Sequence, residues 1–234
     1  MIINQENLLQ ADEIKDQLKK EVVDESRIKI GSLVFSNFLK YYQLCRSAVN
    51  EVSTRLDNLN TDFQLRYEHN PINRIDERIK NIHSLMHKVA RKGIPKDLDM
   101  INRRIHDIAG VRVIVNYIDD VYLVRDALLA QSDIKLIRTR DYIKHPKDNG
   151  YRSLHLVVSV PVFQTDGKKI ALVEVQIRTM GMDMWASLDE KMHYQAVKNS
   201  QAGVHAPELE KYAGELNSIE RDMQTIFTEL GETD

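Results

Sequence analysis

Apolar residues recur at steps of three and four along the two ends of the chain and at steps of two through its middle, so helices are expected to flank a sheet. Leu8 to Val23 alternates apolar and charged residues at helical spacing, and Asp24 to Gly31 reads as a connection. On the longer helix that follows, Phe35, Phe38, Tyr42, Cys45, Val49, Val52, Leu56 and Leu59 form one seam. Leu209, Tyr212, Leu216, Ile219, Met223, Ile226 and Leu230 repeat that spacing after Pro207, a residue suited to a helix start. Such seams either pack on the sheet within one chain or join subunits.

Between the seams the period changes. Thr61 to Ile75 is polar and broken by Asn70-Pro71, which reads as a junction. Arg78 to Lys92 reads as an extended entry followed by a short basic helix that ends at Lys92-Gly93-Ile94-Pro95, and Leu98 to Arg104 as a short amphipathic turn. Asp107 to Tyr117 reads as a strand with Val111, Val113 and Val115 on the face of Asp107 and Arg112 on the other. A helix over Val121 to Ala130 and a strand over Ile134 to Arg140 follow.

Gly150 to Thr179 reads as a hairpin turning at Asp166-Gly167, with Ser159 opposite Glu174, Val157 opposite Gln176 and His155 opposite Arg178. Leu154, Leu156, Val158, Val160, Val173, Val175 and Ile177 then share an apolar side suited to a core. A last helix, Gly181 to Gln195, is expected to pack Met184, Trp185, Leu188, Met192 and Tyr194 on the sheet or near a pocket. The order of elements gives an α+β class with a mixed sheet of about five strands flanked by helices. The expected divisions are 1–65 for N-terminal helices, 66–198 for a central domain and 199–234 for a C-terminal helix.

Charge and composition narrow the partners. With Lys+Arg 33 against Asp+Glu 35 in 234 residues the net charge is −2, so a nucleic acid is not expected as the main substrate and any basic site must be local. The lone Cys45 excludes an internal disulfide and suits a reducing cytoplasm. No basic, apolar leader opens the sequence and no apolar run approaches membrane-spanning length, so a cytoplasmic chain without a membrane partner is expected.

The candidate chemistry lies on the hairpin's other face. Glu174, Gln176 and Arg178 share that side, which is either a solvated sheet face or a ligand site. The preceding loop, His145-Pro146-Lys147-Asp148-Asn149-Gly150-Tyr151-Arg152, crowds cations, an amide and an aromatic ring. That mixture suits a nucleotide: cations for phosphates, an amide for base edges, a ring for stacking. On the basic helix Ser84, Lys88 and Arg91 share a face, with Arg78 and Lys80 just before it; the pattern suits either a solvated helix or a triphosphate. Neither a P-loop nor a GxGxxG motif occurs. His83 and His87 stand at zinc-binding spacing without an evident third ligand. Asp107 and Glu174, on neighbouring strands beside cations, would suit Mg²⁺, which typically takes one or two carboxylates and lets phosphates supply other ligands.

Five ordered stretches together resemble a known family. They are R-I-K-x-x-x-S-x-x-x-K at Arg78 to Lys88, D-I-A-G-V-R at Asp107 to Arg112, D-Y-I-x-x-P-K-x-N-G-Y-R-S-L-H at Asp141 to His155, V-E-V-Q-I-R-T at Val173 to Thr179 and M-D-x-W-A at Met182 to Ala186. They resemble the synthetase domain of RelA/SpoT-type alarmone synthetases, and with no room for hydrolase or regulatory domains the chain is most similar to the small stand-alone members of the RelP type. The resemblance implies a nucleotidyltransferase-like sheet and Mg²⁺-dependent transfer of pyrophosphate from ATP to the 3′-hydroxyl of GDP or GTP, releasing AMP, in stringent-response signalling.

By the same resemblance Arg78, Lys80, Ser84, Lys88 and Arg91 would hold the ATP phosphates, and Arg112 would lie over adenine. Asp107 would ligate Mg²⁺, and Glu174 would help hold the ion and take the hydroxyl proton. Tyr151 would stack on guanine, with Lys147, Asn149, His155 and Gln176 on the acceptor nucleotide. A homotetramer joined through terminal helices is also implied. The chain departs from the common pattern at Asn81-Ile82, Asp189-Glu190 and Gln195. An inactive nucleotide-binding sensor on the same fold, or a helical interaction protein with a purely structural sheet, are the competing readings.

Overall fold

The long seam near the N-terminus does form one helix. The structure, a computed structural model, describes residues 32–66, 69–79, 91–93, 108–198 and 205–231, with backbone alone for 32–39 and 193–198. The expected helices at Leu8 to Val23 and Leu98 to Arg104, and most of the basic helix, lie outside these residues. Helix α1 spans Ser32–Arg66, and Cys45, Val49, Val52 and Leu56 of its seam are buried. The chain divides into two units, Met1–Gln43 with Lys80–Ile105, and Leu44–Ile79 with His106–Asp234. In the first, Arg91 is helical and Gly93 takes φ 59, the left-handed conformation that ends a helix at low cost.

The second unit carries the sheet. Its elements are β1 (Ile72–Ile79), β2 (Ala109–Val115), α2 (Ile118–Leu129), β3 (Lys135–Asp141), β4 (Leu154–Gln164), β5 (Gly167–Thr179), α3 (Met180–Lys198) and α4 (Ala206–Gly231). The strands lie in the order β1-β2-β5-β4-β3. Strands β2 and β5 are parallel and the other neighbours antiparallel, so the sheet is mixed and the class α+β, as expected. The apolar face of the hairpin is core: Leu154, Leu156, Val158, Val160, Val173, Val175 and Ile177 are buried together with Val111, Val113 and Val115. Burial at about 1.5–3 kcal/mol per large aliphatic side chain makes this layer the main stabilising element of the unit.

Three expectations change. The hairpin turns at Thr165-Asp166, with Gln164 paired to Gly167, which has φ 112. Its register therefore slides by two residues from the expected one: His155 faces Gln176 and Val157 faces Glu174. Because side chains alternate with period two, every residue keeps its face. Strand β1 occupies part of the expected junction; INRIDERI is too polar to read as a strand because it is a sheet edge, buried mainly at Ile72. On α3, Trp185 and Met182 are buried, whereas Met184, Leu188 and Met192 are exposed.

Helix α4 also departs from its seam. Tyr212, Ile219, Met223, Ile226 and Leu230 are exposed, and the inner face is made by Ala213, Leu216, Asn217 and Glu220 against Gly150, Arg152 and Trp185. Gly150, at φ 84, lies so close that an added Cβ would meet the Ala213 Cβ at 2.6 Å. Further along, Phe227 stacks on Tyr117 with ring centroids 4.4 Å apart.

Candidate functional site

The polar face of the sheet is assembled by register. Gly110 lies beside Glu174, Arg112 beside Gln176 and Ile114 beside Arg178 across β2 and β5. Across β1 and β2, Arg78 pairs with Gly110 and Asp76 with Arg112; across β4 and β5, His155 pairs with Gln176. Arg140 of β3 pairs with His155. Paired residues share a face, so Arg78, Arg112, Glu174, Gln176, His155 and Arg140 line up on the side opposite the core. A Cβ at Gly110 would rest in contact with the Arg78 and Glu174 carbonyl oxygens, at 3.4 and 3.7 Å.

A chain of hydrogen bonds, closed by one longer His–carboxylate contact, runs across this face. Gln176 Nε2 donates to Glu174 Oε2 at 3.0 Å, and Arg178 Nη2 donates to Gln176 Oε1 at 2.9 Å and to the Tyr151 hydroxyl at 2.7 Å. Tyr151 and His155 Nε2 are 2.8 Å apart, and His155 Nδ1 lies 3.4 Å from Glu174 Oε1. The five side chains close a ring that starts and ends at Glu174. Burial pushes the Tyr151 phenol above its ordinary range, while the Arg178 charge pulls it back.

The loop presents an aromatic corner. Tyr142 lies edge-on to Tyr151 and His155, at centroid distances of 5.8 and 5.2 Å. The exposed Lys147 ammonium sits 4.5 Å from the Tyr151 ring centroid. Asp141 shapes the loop: its Oδ1 accepts the Ile143 and Lys144 amides and its Oδ2 the Tyr122 hydroxyl. Asn149 donates to Asp189 Oδ2 at 3.2 Å and accepts the Tyr151 amide at 3.3 Å, so one of the residues that departs from the common pattern holds the loop to α3.

Asp183, in the first turn of α3, is the residue that pattern reading passed over. It accepts from Arg74 at 3.2 Å and from Arg112 and Arg178 at 3.3 Å each. Its one charge balances three guanidinium groups, two of them on the site. Burial and the neighbouring Arg178 lower the Arg112 pKa, and Asp183 opposes both. The signal was present in M-D-x-W-A, five residues after Arg178. Arg140 was passed over as well, because its place beside His155 follows from strand pairing alone.

Of the expected site residues, Arg112, Glu174, Gln176, His155, Tyr151, Lys147 and Asn149 converge here, and Arg78 stands on the same face. Arg91 belongs to the other unit. Lys80, Ser84, Lys88 and Asp107 lie outside the described residues, as do His83 and His87. Among the described residues no group of three or more His, Cys, Asp or Glu could hold a metal ion. The face still suits Mg²⁺ with phosphate: Glu174 is a hard oxygen donor beside the cations Arg112 and Arg178, whose Nε atoms are buried without a hydrogen-bond partner.

The sequence profile of a region found in RelA / SpoT proteins matches residues 77–199. Over 183 residues the chain is 39% identical to GTP pyrophosphokinase YwaC of Bacillus subtilis, covering 78% of this chain and 87% of that one. Over 187 residues it is 34% identical to GTP pyrophosphokinase YjbM of the same organism, covering 80% and 87%. The fold is similar to the crystal structure of small alarmone synthetase 1 from Bacillus subtilis bound to its product pppGpp, with TM-score 0.74, 30% identity and coverage of 84% and 99%. A GTP pyrophosphokinase family protein from Streptococcus pneumoniae is similar at TM-score 0.74 and 33% identity, with coverage of 86% and 97%.

Proposed function

The chain belongs to the RelA/SpoT family, and from that premise we propose that it is a small alarmone synthetase, transferring pyrophosphate from ATP to the 3′-hydroxyl of GDP or GTP. The observation that carries this reading is the closed ring Glu174, Gln176, Arg178, Tyr151 and His155 on one sheet face. It puts a carboxylate, an amide and an aromatic ring within one side chain of each other, the groups an acceptor nucleoside needs.

In the proposed reaction the 3′-hydroxyl oxygen attacks the β-phosphorus of ATP. One P–O bond forms, the bond from that phosphorus to the oxygen shared with the α-phosphate breaks, and AMP leaves with that oxygen. Glu174 takes the hydroxyl proton; it is held for this by Gln176 and His155. Tyr151 stacks on guanine, with Lys147, Asn149, His155 and Gln176 on the acceptor. Arg112 lies over adenine, and Arg78, Lys80, Ser84, Lys88 and Arg91 take the triphosphate, so that two nucleotides are fixed for in-line attack. Asp107 and Glu174 would hold Mg²⁺, which when bound neutralises developing phosphate charge.

The exposed apolar outer face of α4 supports assembly into a homo-oligomer, with a tetramer as the expected state. No helix among the described residues is long and apolar enough to cross a membrane. The test is incubation of the purified chain with labelled ATP, Mg²⁺ and GDP, GTP or GMP, with products separated by charge. Labelled pyrophosphorylated guanosine with equimolar AMP is expected. Guanine-nucleotide binding without product would instead support the inactive-sensor reading.

A further inference from the structure

Glu220 is a carboxylate that the proposed chemistry does not use. It sits on the inner face of α4, away from the sheet's polar face, and burial pushes its pKa above the ordinary carboxylate range. Its neighbours explain its place. The Thr179 hydroxyl and the Arg152 charge both act against that rise, favouring the ionised form. The Gly181 amide donates to Oε1 at 3.1 Å. A Cβ on Gly181 would stand 2.6 Å from that oxygen, so the approach depends on glycine.

Arg152 follows Tyr151 in the chain, and Thr179 follows Arg178. Tyr151 and Arg178 are joined on the site side by their 2.7 Å bond, and Glu220 lies behind both, lining one cleft with Arg152 and accepting the Gly181 amide three residues after Arg178. We propose that Glu220 is a positioning residue for the guanine-nucleotide half of the site, fixing the Tyr151–Arg178 pair through Arg152, Thr179 and the Gly181 amide. The inference rests on the pyrophosphate-transfer reading and adds a residue to it.

The surroundings point to orientation rather than packing. A cleft of about 10 Å³, at the lower limit for a single water, is lined by Gly150, Arg152, Trp185, Asn217 and Glu220 among others. Arg152 Nε and Asn217 Oδ1 are buried at this helix contact without a hydrogen-bond partner. A half-buried carboxylate among such groups is costly, and an apolar side chain of similar volume would fill the space at lower cost. What the carboxylate adds is direction: it sits at the N-terminal turn of α3, where backbone amides and the helix dipole favour an anion. Arg152 is tied in turn to the Ile143 carbonyl of the aromatic loop at 3.2 Å, so a shift of Glu220 reaches both strand end and loop.

The experiment compares Glu220→Ala, Glu220→Gln and Gly181→Ala in the full chain, reading steady-state KM for ATP and for GDP separately. Calorimetric GDP affinity and melting temperature are measured alongside. Glu220→Ala is expected to raise the KM for GDP about tenfold, the loss of one charge-assisted hydrogen bond, and to leave the KM for ATP within about twofold. Glu220→Gln, which keeps an oxygen for the Gly181 amide, recovers most of that loss. Gly181→Ala, which displaces the carboxylate without removing it, raises the KM for GDP in the same direction and carries the test if Glu220→Ala does not fold. Equal rises in both KM values, or a fall in kcat alone, overturn the proposal. A wild-type chain that binds GDP without turnover removes the synthetase reading and leaves Glu220 judged by GDP affinity in the variants; a wild-type chain that binds no GDP overturns both.

Discussion

Arg178 donates a 2.7 Å hydrogen bond to the Tyr151 hydroxyl, although Arg178 is the last residue but one of strand β5 and Tyr151 lies in the loop before β4. The tie depends on where the hairpin turns. With Thr165 and Asp166 at the turn, Arg178 lies past the start of β4 at Leu154, beside the loop; a turn one residue later would have set it opposite His155. Two side chains from different segments thereby fix the ring on which guanine is proposed to stack.

Replacing Arg178 with Lys keeps the charge and loses the planar fork that reaches Tyr151, Gln176 and Asp183 together. Arg178→Lys is therefore expected to raise the KM for the guanine nucleotide about tenfold or more, with a smaller change for ATP. Steady-state kinetics with each substrate varied in turn checks this, and an unchanged guanine KM contradicts the role given to the tie.

Glu174→Gln keeps the shape of the site and removes the proposed proton acceptor. Pyrophosphate transfer should fall by roughly 10²–10⁴-fold, the usual contribution of a general base, or further if Mg²⁺ is lost too. Nucleotide binding measured by calorimetry without turnover should persist. Normal product formation by this variant would remove Glu174 from the chemistry.

Asp183→Asn leaves Arg74, Arg112 and Arg178 converging on a neutral amide. Asp183 and Arg178 are largely buried, so the loss should approach the ~3 kcal/mol typical of breaking a buried pair, while the exposed Arg74 contributes little. Denaturant unfolding measures it. Adding Arg74→Gln should return only a small part, and a variant as stable as the parent would show that the three arginines tolerate one another.

Tyr122 links pH to the aromatic loop. Burial first, and then the Asp141 charge, push its phenol from 10.0 up to about 12. A folded-state value above the unfolded one stabilises fully below pH 10, and that contribution is lost as pH rises through about 12. Tyr122→Phe should lower the melting temperature by about 2–4 °C at neutral pH, as for one lost hydrogen bond in a chain of this size. Its alkaline decline between pH 10 and 12 should be shallower than the parent's. Thermal melts across that range give both readings, and parallel curves would contradict the assignment.

Much of the architecture was legible because it is written in periods. Alternation in LVEVQIR set Val173, Val175 and Ile177 on the core side and Glu174, Gln176 and Arg178 on the other, and a two-residue slip in pairing leaves that division untouched. The seam of α1 was equally plain, since a residue every three or four positions has one burial direction. Strand β1 was hidden because an edge strand buries too little to show an alternation. The inner face of α4 was hidden because Ala213, Asn217 and Glu220 are small or polar, and their burial follows from contact with Gly150 and Arg152.

By itself the sequence determined which residues share a face, the mixed α+β class and the chemical types gathered in the motifs, because these follow from local periodicity and side-chain chemistry. Tertiary structure alone decided that Asp183 balances three arginines and that Glu220 stands behind Tyr151 and Arg178. Those relations join α3 and α4 to strands and a loop far away in the chain. Charges and hydrogen bonds act through space, over a few ångströms, and no spacing along the chain encodes which distant groups will come within that reach.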